Sequence, residues 1–173
     1  LNGRPDAVDL HAFVALVAAA EAALAEGRPE QAADAAARAL GLWRGPALAD
    51  LPDREPAAAR PEALRLTAQR VKFEAELELG HAVEALPALR EAVAAHPLDE
   101  PFRAQLLRAL RAAGRTADAL VAYDEARTVL AETLGTDPGP ELRALHAELL
   151  RQQPLPAPDL PKGNLRARLT SFV

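Results

Sequence analysis

Histidines are the side chains in this sequence best suited to bind a metal or to move a proton near neutral pH. His81 lies three positions before Glu84, which is a helical spacing, and His96 lies close to Asp99 and Glu100. Neither histidine has the complete ligand set of a zinc site nearby in the sequence. Histidines at helix ends also hydrogen-bond terminal carbonyl groups and interact favourably with the helix dipole. We therefore expect no metal site in this chain.

The sequence also lacks the groups needed for covalent or phosphate chemistry. It has no cysteine, and its one serine is Ser171, near the end of the chain. Glu74, Glu76 and Glu78 alternate with apolar residues, so on a helix they would not share one face. No glycine-rich loop followed by lysine and serine or threonine occurs. We find no catalytic constellation, and we expect neither enzyme activity nor a cofactor in this chain.

The composition predicts the fold class. Alanine and leucine together make up about two-fifths of the 173 residues, and both are strong helix formers, so we expect an all-α fold. The chain has 20 basic and 25 acidic residues, and its net charge of -5 argues against DNA binding by the chain itself. No apolar stretch reaches 18 residues, so we expect no membrane association and a cytoplasmic location.

Apolar residues recur at helical spacing along most of the chain, with glycine or proline between the segments. The first predicted helix begins at a cap on Asp9 and ends at Gly27. The other predicted helices are 29–42, 61–79, 82–95, 98–113, 116–134 and 140–152. Four prolines interrupt residues 43–61, and Trp43 is expected to anchor this segment as an ordered excursion.

A glycine-led pattern recurs along the chain and indicates a repeat. Gly27, Gly80 and Gly114 are each followed by alanine at the fifth position and again at the twelfth. The interval from Gly80 to Gly114 is 34 residues, which is the period of the tetratricopeptide repeat. The earlier interval of 53 residues is longer by 19, the length of segment 43–61. The sequence thus predicts a tetratricopeptide-like right-handed bundle of about seven helices in antiparallel pairs.

Basic residues occur on the first helices of two predicted pairs. In a tetratricopeptide array these helices line the concave groove, where basic side chains could bind an acidic segment of a partner. The candidates are Arg65, Lys72, Arg103 and Arg108. The same residues could instead neutralise the interleaved carboxylates of a solvated face. We favour this second interpretation, because acidic residues outnumber basic ones across the chain.

Four segments, taken in order, resemble parts of one protein family. They are residues 42–51, 96–100, 114–123 and 134–142, with the signature positions Trp43, Gly45, Asp50, Pro97, Gly114, Ala119, Tyr123, Gly135 and Pro138. At this spacing they resemble the bacterial transcriptional activation domain of the Streptomyces antibiotic regulatory proteins. The resemblance extends over about residues 8–151 and implies a tetratricopeptide-like bundle, in agreement with the repeats.

The resemblance implies a role in transcription. In that family the domain follows a winged-helix DNA-binding domain, supports oligomerisation upstream of secondary-metabolite genes, and helps to contact RNA polymerase. It implies that this chain is a regulatory and interaction domain of an activator of antibiotic biosynthesis. The implied partners are its own winged-helix domain, a second copy or RNA polymerase, and DNA would be bound only through the winged helix.

The last residues predict a connection to a further domain. Prolines within residues 153–163 are typical of a semi-rigid linker. Residues 164–173 resemble the lead-in to the nucleotide-binding domain of the large family members. We therefore expect residues 8–152 to be one domain of a longer regulator, and any ATPase activity would belong to a domain outside this chain.

Two other interpretations of the sequence stay open. The first is a stand-alone tetratricopeptide adaptor that binds a peptide segment in its groove, although an ordinary array would not insert residues 43–61 where they occur. The second is a small-molecule sensor with a pocket between helices, for which the alanine-rich packing leaves little room.

Overall fold

The computed structural model describes residues 5–42 and 54–152, apart from the side chains of residues 5–9, 54–60 and 152. Within these ranges the chain forms seven α-helices and no strand, which confirms the predicted all-α fold. The helices are α1 (Pro5–Ala25), α2 (Pro29–Gly41), α3 (Arg54–Glu78), α4 (Ala82–Ala95), α5 (Glu100–Ala112), α6 (Thr116–Leu134) and α7 (Pro140–Gln152). Trp43, Gly45, Asp50 and residues 153–173 lie outside the described residues.

The first residues of α1 and α5 differ from the predicted ones. α1 begins at Pro5, so Asp9 lies within the helix and the cap predicted there is wrong. Proline is favoured at the first helical position because its fixed φ suits the helix. α5 begins at Glu100 instead of residue 98, because the Asp99 carboxylate accepts a hydrogen bond from the Phe102 amide at 3.1 Å. Such a cap satisfies one of the amides that every helix start leaves unpaired.

The start of α3 corrects a second prediction. The helix begins at Arg54 rather than at Pro61, so the predicted excursion 43–61 ends before residue 54. Pro56 lies in the first turn of α3, where amide nitrogens have no intrahelical acceptor and proline costs little. Pro61 lies inside the helix, which continues past the missing donor. The helix prediction for this segment was therefore wrong, because α3 tolerates both Pro56 and Pro61.

Three turns of one form join the helices in pairs. Residues 26–28, 79–81 and 113–115 each link two helices, and the central glycine of each has a φ between 69° and 82°. In the third turn the Gly114 amide donates to the Arg111 carbonyl, and the Arg115 amide donates to the Leu110 carbonyl. The other two turns have the same pair of bonds. Glycine adopts this left-handed backbone without the strain of a side chain, so the repeated glycines mark repeated helix ends.

The pairs stack in chain order. The odd-numbered helices α1, α3, α5 and α7 contact one another in sequence, and each even-numbered helix packs against the odd-numbered helices on either side of it. In the described structure the Cα atoms of α2 and α4 stay more than 8 Å apart, and so do those of α4 and α6. The odd-numbered helices thus form a continuous spine, and the even-numbered helices lie along it with gaps between them.

Alanines of the even-numbered helices let this stack pack closely. The recurring positions predicted from the glycine pattern are buried in all three pairs: Ala32, Ala36, Ala39, Ala85, Leu89, Ala92, Ala119, Tyr123 and Ala126. The main core runs from α3 to α7 around Phe102, whose side chain is fully buried and meets Phe73 edge-on at a ring distance of 6.0 Å. Leucine and these two rings supply most of the apolar area that stabilises the core.

Candidate interaction surface

Three of the four predicted partner-binding residues have acidic neighbours within the chain. Lys72 Nζ lies 3.0 Å from Glu76 Oε1, one turn further along α3. Arg65 Nη1 lies 3.6 Å from Glu62 Oε2 on the same helix. Exposed pairs of this kind contribute little to stability, about 0.2–1 kcal/mol. They do compensate the basic charge that an acidic partner would otherwise meet.

Arg108 takes part in a stronger contact that joins two helices. Its guanidinium binds Glu74 through both terminal nitrogens, with Nη1 donating to Oε1 at 2.6 Å. Gln105 Nε2 donates to Glu74 Oε2 at 3.1 Å and to the Arg70 carbonyl at 2.8 Å. Two-point contacts between arginine and a carboxylate are among the strong hydrogen bonds of proteins. This cluster fixes α5 against α3.

The pKa of Glu74 reports this contact. Burial by itself would raise the pKa of the carboxyl, but hydrogen bonds from Arg108 and Gln105, together with the charge of Arg108, outweigh burial and hold the pKa below its ordinary value. Burial likewise disfavours the charged form of Arg108, and Glu74 more than compensates, so that the pKa of Arg108 is raised. Both groups are therefore charged in the folded protein at neutral pH.

Two more arginines connect neighbouring helices of the spine. Arg70 on α3 donates to the carboxylate of Asp99, which also caps α5 and is only 7% exposed. Arg111 on α5 donates to the carboxylate of Glu148 on α7. The charges of the odd-numbered helices thus largely pair with one another. The sequence did not predict that Glu74 and Asp99 would be the acidic partners in two of these ion pairs.

Arg103 differs from the other candidates. Its side chain is buried, with 5% of the residue exposed, and its Nε donates to the Pro97 carbonyl at 2.7 Å. It lies between α4 and α6, whereas Arg108 faces Glu74 on α3. Burial lowers the pKa of Arg103, and the charge of Glu125 opposes this effect in part. The structure therefore does not bring the four predicted residues to one surface.

The described signature positions lie at joints between elements. Gly114 forms the turn before α6, and Gly135 ends α6 with a φ of 67°. The buried Tyr123 ring stacks on His146 of α7, with ring centres 3.9 Å apart and planes 3° apart. Pro97 supplies the carbonyl that binds Arg103. These positions shape the fold.

A contact between the second and fourth signature segments was not predicted. The Gly139 amide, at the start of α7, donates to Glu100 Oε2 at 2.6 Å. Glu100 thereby holds the beginning of α7 against the beginning of α5, and its negative charge suits both helix N-termini. The sequence shows a glutamate in one segment and a glycine in the other, but sequence spacing does not show which segments meet.

The described residues hold neither a candidate metal site nor a candidate membrane-spanning helix. No cluster of three or more histidine, aspartate or glutamate side chains there could hold a metal ion. None of the helices in those ranges is both long and apolar enough to cross a membrane.

These features define an α-helical repeat domain made of stacked helix pairs. Residues 8–150 match the family described as the bacterial transcriptional activator domain, and the chain belongs to that family. The resemblance to the Streptomyces antibiotic regulatory proteins is thereby confirmed.

Curated relatives with this domain are named as regulators. The transcriptional regulatory protein EmbR of Mycobacterium tuberculosis is 44% identical over 152 residues, which cover 86% of this chain and 39% of EmbR. The regulatory protein AfsR of Streptomyces griseus is 42% identical over 147 residues, which cover 84% of this chain and 15% of AfsR. The transcriptional regulator RedD of Streptomyces coelicolor is 40% identical over 154 residues, which cover 87% of this chain and 44% of RedD. The chain thus spans less than half the length of each of these relatives.

A solved structure has the same fold. It is described as Mycobacterium tuberculosis EmbR in complex with a low affinity phosphopeptide. Its TM-score to this chain is 0.81 at 44% sequence identity, and the match covers 88% of this chain and 41% of that one.

Proposed function

We propose that this chain is the regulatory and interaction domain of a bacterial transcription activator of secondary-metabolite genes. In this role it supports oligomerisation of the activator and its contact with the DNA-binding domain or with RNA polymerase. The observation that carries the proposal is the family match over residues 8–150, together with relatives that are named as regulators and are all much longer.

The physical character of the domain supports this role. Ion pairs join α3 to α5 and α5 to α7, and a continuous chain of packed helices is a physical route by which docking at one end can affect an attached domain. The proposed partners are a winged-helix domain and a nucleotide-binding domain of the same regulator, a second copy of the chain, and RNA polymerase. Residues Arg65, Lys72, Arg103 and Arg108 stay proposed partner contacts, and a cytoplasmic location follows from the role.

Purified components test this proposal. The 173-residue chain is immobilised, and purified Streptomyces RNA polymerase is passed over it, while sedimentation equilibrium measures self-association of the free chain. We expect retention of polymerase or dimer formation at micromolar concentration. An acidic helical protein of similar size serves as the control surface. Absence of both retention and self-association would contradict the interaction role.

The alternative function is a peptide-binding adaptor. One observation favours it, namely that the similar EmbR structure is described with a phosphopeptide. Because the match covers only 41% of the EmbR chain, titration of this chain with that phosphopeptide is the discriminating measurement. Saturable binding would favour the adaptor, and no heat of binding at millimolar peptide would remove it.

A further inference from the structure

A groove lies between α4 and α6. No Cα atom of α4 lies within 8 Å of one of α6 in the described structure, and α5 forms the floor between the two helices. The groove has a volume of about 600 Å³. Its apolar lining includes Val93, Pro97, Leu106, Leu110, Val121 and Val129. Val121 on the α6 wall is 57% exposed, so apolar surface in this groove faces solvent.

The floor of the groove holds an arginine whose side chain is largely buried. Arg103 is 5% exposed, and the only side-chain hydrogen bond that it makes to a described residue joins Nε to the Pro97 carbonyl. No described carboxylate lies within ion-pair distance of its two terminal nitrogens, although their positive charge lies in the groove. Neither terminal nitrogen is among the buried polar atoms without a partner, so both reach the solvent of the groove, where a carboxylate supplied by a partner can bind them through charge-assisted hydrogen bonds.

None of the other charged residues of the groove forms an ion pair with Arg103. Asp118 is bound by Arg115, whose Nε donates to it at 2.6 Å. Glu125 lies on the α6 wall, beyond ion-pair distance from Arg103, and acts on it only through the longer-range attraction between charges. Arg90 on the α4 wall adds a second cation, and no ion pair joins it to a described residue.

We propose that this groove docks a peptide segment of a partner protein in which a carboxylate side chain lies between apolar ones, with the carboxylate bound by Arg103. The inference rests on the proposed function for the interaction role of the domain, and it names a binding site with two even-numbered helices as its walls and α5 as its floor. The groove is the gap between successive even-numbered helices.

Two properties of the groove select this chemistry. Apolar side chains of the segment would cover Val121 and Val129, which gains hydrophobic free energy in proportion to the area buried. A purely apolar segment would seal Arg103 from water without a counter-charge, and a bare anion would leave the apolar walls exposed. A segment that carries both apolar side chains and a carboxylate would cover the apolar walls and also bind Arg103.

A blocked seven-residue peptide provides the probe. It carries one central glutamate, a leucine on each side of it and two alanines at each end, and its control has glutamine in place of glutamate. Both peptides are titrated into the isotopically labelled 173-residue chain and followed by amide chemical shifts. We expect shifts concentrated at residues 90–97, 103–110 and 118–129, and binding of the glutamate peptide about tenfold tighter than that of the glutamine peptide.

Two exposed valines provide a matched pair of variants. Val121→Glu places a negative charge in the groove, and Val83→Glu places one on α4 outside it, at a residue that is 62% exposed. We expect Val121→Glu to weaken the glutamate peptide about tenfold and Val83→Glu to leave it unchanged within twofold. Neither residue is buried, so both variants are expected to fold.

Arg103→Gln tests the role of the floor directly. If Arg103 binds the carboxylate, the preference for glutamate over glutamine disappears in this variant, whereas a purely structural role would leave the ratio near tenfold. Equal binding of the two peptides to the unmodified chain, no binding at millimolar peptide, or equal losses from both valine variants would each overturn the proposal. Binding of the peptide by a chain that neither retains polymerase nor self-associates would contradict the proposed function and leave this inference intact.

Discussion

Arg103 and Arg108 show how one helix assigns two arginines to different tasks. They are five positions apart on α5, which rotates their side chains about 140° from each other around the helix axis. Arg108 reaches Glu74 on α3, and Arg103 reaches the gap between α4 and α6. Helical arithmetic on the sequence already separates the two side chains. Only the packing shows that Glu74 lies opposite Arg108 and that no described carboxylate lies within ion-pair distance of Arg103.

The contact between Glu74 and Arg108 predicts a pH dependence of stability. The folded state holds the pKa of Glu74 below its ordinary value of 4.5, so this contact stabilises the fold above that pH and loses its effect as the pH falls through the lower, folded-state pKa. We expect Glu74→Gln to lower the free energy of unfolding by about 1–2 kcal/mol at pH 6 and by much less near pH 3. Urea unfolding across this range measures both values.

Glu91→Gln is the control for this experiment. Glu91 is exposed on α4, so its replacement is expected to change stability by less than about 0.5 kcal/mol at either pH. A difference between the Glu74→Gln variant and the unmodified chain that stays constant from pH 6 to pH 3 would contradict the lowered pKa.

Replacement of Phe102 is expected to cause the largest single loss of stability in the described core. Its ring is fully buried between α3 and α5 and contacts Phe73. We expect Phe102→Ala to reduce the free energy of unfolding by about 3–5 kcal/mol, because the cavity adds to the lost burial. Thermal unfolding measures this loss. Val83 is exposed on α4, so Val83→Ala should cost less than about 0.5 kcal/mol in the same measurement. Similar losses in the two variants would mean that Phe102 is not a core anchor.

At the scale of elements, the sequence predicted the helices best where glycine and proline mark both ends. α4, α6 and α7 begin and end at the predicted residues, and α2 ends one residue before the predicted end. The predicted start of α1 was wrong because Asp9 is a typical cap residue but lies inside the helix, and that of α3 was wrong because the helix begins at Arg54 and continues through Pro61. Which helix faces which depends on long-range packing that no local pattern contains.

Replacement of glycine by alanine is expected to have opposite effects at Gly139, at the joint between α5 and α7, and at Gly41 in α2. A Cβ on Gly139 would lie 2.8 Å from Glu100 Oε2 and would disturb the bond that Glu100 accepts from the Gly139 amide. We expect Gly139→Ala to destabilise the fold by about 1–2 kcal/mol. Gly41, in the last turn of α2, has no described atom within 4 Å of an added Cβ, so Gly41→Ala should be neutral or stabilising by about 0.5 kcal/mol.

Thermal unfolding of a double variant separates the contact from a general effect at Gly139. In a Glu100→Ala background the crowding is gone, and Gly139→Ala should then cost less than it does alone. Additive losses would show that Glu100 and Gly139 act independently.

At the scale of the whole molecule, the described part of the chain is a helical stack whose spine is joined by ion pairs, with a groove between α4 and α6. The net charge of -5 of the whole chain predicts that the isolated chain binds duplex DNA no better than another acidic protein does. A gel shift with a promoter fragment and with random DNA checks this at low salt. A sequence-specific shift by the 173 residues alone would overturn the assignment of DNA binding to a separate domain.

The most direct test of the interaction role is transcription in a purified system. The chain is fused to an unrelated DNA-binding domain, placed upstream of a weak promoter, and assayed with RNA polymerase, while a footprint confirms that the operator is occupied. We expect at least a fivefold rise in transcript over the DNA-binding domain alone, which corresponds to about 1 kcal/mol of added contact at the promoter. Full occupancy of the operator with transcription at the basal level would contradict the interaction role.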